Sequence, residues 1–288
     1  MKDVCGEGPL WVASENALYW TDINHFLIHR LDPATGEVRD RHFDEPVTTL
    51  AVTDRDDTLL VALGSQLISW RRATDERAPL GFQLPGWPGV RLNDGAPDPR
   101  GSFWVGSMQN NVLADGSSID IVRSEGTLYR VEADGSAKEW KNNIGVSNTL
   151  AWSPDNKLFY FADSLRNEIY VYAYDVSTGD IANERSFFAG FERGLPDGSA
   201  IDSEGCLWNC RYGGACIVRT TPAGEIDRIV EAPTANITNC AFGGEDYRTL
   251  YITTASAGAP QDDEFAGALF SVVCDTPGLP PNRFSFGS

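Results

Sequence analysis

A chain of 288 residues with 42% hydrophobic content can bury a sizeable core, and nothing in its composition demands a break between domains. Its formal charge of −18 is the wrong sign for nucleic acid or an anionic membrane, both of which are met with a basic face, so neither is expected as a partner. The six cysteines form no Cys-x-x-Cys pair, and the opening Met1-Lys2-Asp3-Val4-Cys5 lacks an apolar signal core. The expectation is therefore a reducing cytoplasm with thiols packed as small hydrophobes, and no apolar run is long enough to span a bilayer.

Taken in order, the chain repeats itself. Runs of strand length rich in aromatic and β-branched residues occur at 17–22, 58–64, 102–107, 157–163, 206–210 and 249–254. Their spacing of about 40 to 55 residues is close to the period of one four-stranded propeller blade. A second apolar run follows each, at 27–31, 67–70, 126–131, 168–174, 216–219 and 268–273. Turn signals such as Asp32-Pro33-Ala34-Thr35-Gly36 and Ala133-Asp134-Gly135 end several of them. Helical spacing is nearly absent; the one candidate, 257–266, is short and broken by Pro260. The pattern predicts an all-β fold: a six-bladed β-propeller of four-stranded antiparallel blades around a central channel, one domain over 1–288. A β-sandwich is the rival, and the likeness between units argues against it. The second unit, about 45–80, is the most degenerate. Few residues precede Glu7, so little chain is left there to complete the last blade.

The segments ahead of these runs carry the chemistry. Gly6-Glu7-Gly8-Pro9, Val90-Arg91-Leu92-Asn93-Asp94-Gly95, Val146-Ser147-Asn148-Thr149, Leu195-Pro196-Asp197-Gly198 and Ala235-Asn236-Ile237-Thr238-Asn239-Cys240 each stand roughly 10 residues before an aromatic run. That shared offset places them at equivalent points of successive blades, pointing Glu7, Asn93, Asn148 and Asp197 toward one axis. Asp197, between Pro196 and Gly198, is held on a stiff turn; alone, Pro-Asp-Gly is an ordinary turn sequence. Together with Glu7 and Asn148 it describes an oxygen site for a divalent cation. Asp94 reads as a residue of its own turn or of the channel wall. His25, His29 and His42 read as strand or loop residues, with no catalytic triad.

With these motifs in order, the sequence resembles the SMP-30/gluconolactonase/LRE-like family of six-bladed propellers. The carrying residues are Gly6-Glu7-Gly8-Pro9-Leu10-Trp11, Arg91-Leu92-Asn93-Asp94-Gly95, Ser147-Asn148-Thr149-Leu150-Ala151-Trp152, Pro196-Asp197-Gly198 with Asp202 to Trp208, and Cys240-Ala241-Phe242-Gly243-Gly244. The resemblance implies a metal-dependent lactonase that opens a sugar (aldono-) lactone to the aldonic acid. It implies Glu7, Asn148 and Asp197 as metal ligands, Asp197 also as acid/base, and Arg91 and Asn93 as substrate contacts. It implies one divalent cation, with calcium, zinc, manganese, magnesium and ferrous iron all associated with the family, and a monomer or small homo-oligomer is expected. The alternatives are hydrolysis of another ester or an organophosphate at the same metal, or a non-catalytic calcium-binding propeller.

Two departures stand out. Family members commonly carry Gly after the metal-binding Asn, where this chain has Thr149; a positive backbone angle there would be costly for Thr. At Asn111 some polyol-binding members are acidic, which points to a shifted substrate preference. The connection 109–125 is expected to form a rim loop or lid.

Overall fold

Residues buried on both faces read as unbroken apolar runs, while residues open to water on both faces read as charged. That contrast orders each blade. The runs Ala17–Asp22 and Thr58–Leu63 are buried at every position, whereas Glu37–His42, at the outer edge of the first blade, is exposed at every position. In the computed structural model, which describes residues 2–287, the strands form six antiparallel sheets arranged as a six-bladed β-propeller. Five blades have four strands; the sixth, Ile237–Gly243, Thr249–Thr254 and Phe270–Val273, has three among the described residues. Each aromatic run is the second strand of its blade. The degenerate second unit is a regular blade, Val47–Val52 to Glu76–Gln83. Residues 257–266 are turns, not a helix, and no helix among the described residues is long and apolar enough to cross a membrane.

A local device sets the blade turns in the third and fifth units. Asp98 accepts the main-chain N–H of Arg100 and Ser102 and the indole N–H of Trp104 at 3.0 Å. Asp202 does the same with Glu204, Cys206 and Trp208, the indole at 2.8 Å. Gly101 and Gly205 adopt φ of 96° and 80° inside these turns, which suits a residue without Cβ. Trp104 and Trp208 are buried, each removing roughly 200 Å² from water, worth on the order of 5 kcal/mol.

Ring closure uses both chain ends. Asp3 N–H donates to Gly267 O (2.9 Å), Ser256 N–H to Asp3 O (3.1 Å) and Ala257 N–H to Val4 O (3.0 Å), so the opening residues lie along the sixth blade. The last residues run across the ring. Gly278 N–H donates to Tyr247 O and Ser203 N–H to Pro277 O; further on, Phe284 N–H donates to Val52 O and Ser285 N–H to Gly101 O. The tail thus ties the fifth and sixth blades to the second and third.

Candidate active site

The inner strands are Gly6–Val12, Val47–Val52, Val90–Pro97, Ser147–Trp152, Leu195–Ile201 and Ile237–Gly243. Each carries one extra residue against its neighbour, between Glu7 and Leu10, Val47 and Thr49, Leu92 and Gly95, Asn148 and Ala151, Pro196 and Ser199, and Ile237 and Asn239. Such bulges re-aim side chains. Glu7, Asn93, Asn148 and Asp197 therefore stand within bulged inner strands, not in the connections that precede them. Thr48 occupies this place in the second blade and donates to Ala62 O, so that blade adds no charged group at this point.

The structure brings the expected residues together. Asn93 Nδ2 donates to Asn148 Oδ1 at 3.1 Å and to Ser147 O at 2.8 Å. Arg91 Nη1 donates to Asn93 Oδ1 at 2.6 Å, while Nε and Nη2 both reach Asn111 Oδ1, at 3.0 and 2.8 Å. Asn148 Nδ2 donates to Ser164 Oγ (2.9 Å), and Ser164 donates onward to Pro196 O (2.6 Å), which ties the Asn148 strand to the Asp197 strand. The Glu7 and Asp197 carboxyls lie within hydrogen-bonding reach of each other. All five are buried.

Burial pushes the Asp197 carboxyl well above the usual carboxylate range, and Glu7 and Asp94 push it further. Burial also raises Glu7, against the opposing pull of hydrogen bonds from Asn239 and the Gly8 amide. Asp94 is raised to about 8 by burial and by Glu7. It accepts the Gly95 amide at 2.9 Å and forms part of the channel wall. Beyond the polar cluster the channel continues as a cavity of about 360 Å³, walled by the later halves of the inner strands and by tail residues 279–282.

Thr149 has a φ of 54°, so the positive angle expected to be costly is present. The strain is of order 1 kcal/mol and is offset by what the side chain holds. Thr149 Oγ1 donates to Asp197 O at 2.5 Å and lies 2.8 Å from Ser199 Oγ. Asn209, which the motifs did not single out, donates to Asp197 O at 3.1 Å and to Ser199 Oγ at 2.9 Å. Asn239 was visible only as part of the fifth bulged segment. Its Nδ2 donates to Glu7 Oε2 at 2.9 Å, and a Cβ at Gly198 would fall 2.0 Å from its side chain. Its offset from the Thr249–Thr254 run, the same as in the other blades, was the signal available.

The donor set fits a divalent cation. Two buried carboxylates side by side, with one amide oxygen, form a hard oxygen cluster. Its carboxylates are short of donors: Glu7 receives two hydrogen bonds, both on Oε2, and Asp197 receives the Gly198 amide. A second acidic cluster lies nearby, with Asp3, Asp22 and His29 offering ligand atoms within 4.8 Å of one another. There both Asp22 oxygens are occupied, and one of the two on Asp3. Asp22 accepts the amides of Val4, Cys5 and Asn24, and Asp3 accepts the Trp20 indole. This cluster knots the chain start onto the first blade. His25 pairs with Asp22 and His29 with Asp40, so both serve the first blade's structure.

The SMP-30/gluconolactonase/LRE-like region model matches residues 5–256. This chain belongs to that family. Pentonolactonase XacC of Haloferax volcanii is 33% identical, over 96% of this chain and 94% of its own. Regucalcin of Gallus gallus is 32% identical over 97% and 94%. Among solved structures, a protein described as calcium-binding regucalcin from Agrobacterium tumefaciens superposes with a TM-score of 0.90 at 26% identity, covering 99% of this chain and 95% of that one.

Proposed function

We propose that this family member is a metal-dependent hydrolase that opens a sugar lactone to its aldonic acid. The observation that carries the reading is the buried, donor-poor pair Glu7 and Asp197 beside Asn148, at the hub of a chain whose relatives include a pentonolactonase. Glu7, Asn148 and Asp197 would hold one divalent cation, which when bound polarises the ester carbonyl and acidifies water. Asp197 takes the proton of the attacking water and returns a proton to the ring oxygen as the C–O bond breaks, so water and lactone become one hydroxy acid. Arg91 and Asn93, joined at 2.6 Å, present N–H donors that orient the hydroxylated ring. Thr149 and Asn209 hold the Asp197 main chain in place.

The test is chelation and refilling. After EDTA treatment, acid release from gluconolactone and from pentonolactones should fall to the uncatalysed rate, and single metals should restore it. If every metal and lactone leaves the rate at background while calcium still binds, the protein is a binding propeller and the hydrolase reading fails.

A further inference from the structure

Arg91 and Arg219 are equally buried, each 4% exposed, yet their surroundings differ in one respect. Arg219 is gripped by Asp202, Glu204 and Asp227 at 2.6 to 2.8 Å. Arg91 forms no ion pair among the described residues; Glu7 and Asp197 act on its charge only through space. Its acceptors are neutral: the Leu92 carbonyl, Asn93 Oδ1 and Asn111 Oδ1. A buried cation without a direct counter-ion is costly. Arg211 is also buried without a carboxylate, but its role is visible, since it gathers the carbonyls of Phe191, Arg193 and Gly194 and so shapes the loop ahead of Asp197. Arg91 gathers no loop carbonyls: its one main-chain acceptor is its own neighbour, and its only hold on the connection 109–125 is the Asn111 side chain.

The charge balance of the site sharpens the point. Glu7 and Asp197 together neutralise the two charges of the ion they are proposed to hold, which leaves Arg91 over. Asp94 lies in the channel wall but forms no ion pair with Arg91 among the described residues. The Nε/Nη2 edge of Arg91, the edge that a carboxylate takes with two oxygens, rests on the single amide oxygen of Asn111. One Nη2 hydrogen is left without an acceptor, since four hydrogen bonds are formed from five N–H groups.

We propose that Arg91 is the counter-charge for an ionised substituent of the substrate, so that the lactone opened here is an acidic one, bearing a carboxylate, sulfonate or phosphate in addition to its ester. This rests on the hydrolase reading above. Asn111 makes the preference: a carboxylate there would neutralise Arg91 and favour an uncharged sugar.

The experiment compares kcat/KM of the metal-loaded full-length protein for gluconolactone, glucarolactone and phosphogluconolactone, which separates neutral, carboxylate and phosphate substrates. The acidic lactones should be favoured by about tenfold or more, and about 0.5 M salt should shrink the preference. Asn111→Glu should reverse it, and Asn111→Gln, which keeps a neutral amide, should leave it unchanged. Calorimetric titration with the open-chain acids gives a readout independent of turnover: glucarate should bind about tenfold more tightly than gluconate, and Asn111→Glu should erase that difference. Equal or neutral-favouring kcat/KM in the natural protein, with a ratio that Asn111→Glu does not move, overturns the proposal and leaves the hydrolase reading standing. If no lactone is opened, the hydrolase reading falls, and the titration still decides whether Arg91 receives an anion.

Discussion

Two buried acidic clusters sit close together in this chain, and they behave as opposites. Around Asp3 and Asp22, main-chain amides, an indole and the His25 imidazole supply the carboxylates with donors. Around Glu7 and Asp197, donors are few; burial raises the proton affinity of both, and Glu7 raises that of Asp197 further. Count of acidic groups therefore does not distinguish a structural knot from the proposed cation site; the supply of hydrogen-bond donors does.

Substitution tests that distinction most strongly at Asp197. Asp197→Asn should lower turnover by about a thousandfold or more, since it removes a proposed ligand and the proposed proton acceptor together. With metal stripped, the same change should stabilise the fold by about 1–3 kcal/mol by removing a buried carboxyl that must take up a proton on folding, whereas Asp22→Asn should destabilise it by a similar amount by setting an NH₂ against main-chain amides. Thermal melts of the two variants in EDTA that shift in the same direction would erase the contrast. The pH dependence is a milder probe. Glu7, Asp197 and Asp94 keep protons in the folded state that the unfolded chain releases near pH 4, so stability of the metal-free protein should decline as pH rises from about 4 to about 8. Saturating metal should flatten the decline, and a metal-free profile that climbs over that window contradicts the assignment. The smallest effect belongs to Asn239→Ala. It removes one of the two hydrogen bonds to Glu7 and should weaken metal affinity about tenfold, measurable by calorimetry, with the fold intact.

The blade repeat was legible because the second strands are buried on both faces and so read as continuous apolar runs, from Ala17–Asp22 to Thr249–Thr254. The convergence of Glu7, Asn93, Asn148 and Asp197 was legible through a shared offset from those runs. The bulges that aim the four side chains were not, because only Gly8 and Gly198 mark them in the chain and Thr149 adopts its positive φ without any local signal. Asn239 escaped individual notice because its partner, Glu7, is more than 200 residues away. The tail escaped for the same reason: Phe284 pairs with Thr53, a contact that no periodicity encodes.

The tail's course also bears on how this molecule comes apart. A ring with a single join usually yields at that join, one sector peeling from the next. Here a crossbar spans the wheel from the fifth and sixth sectors to the second and third, so the join cannot gape unless the bar lets go as well. Heat or denaturant must then undo opposite sides of the wheel together, which makes collapse a concerted event in place of a progressive unravelling.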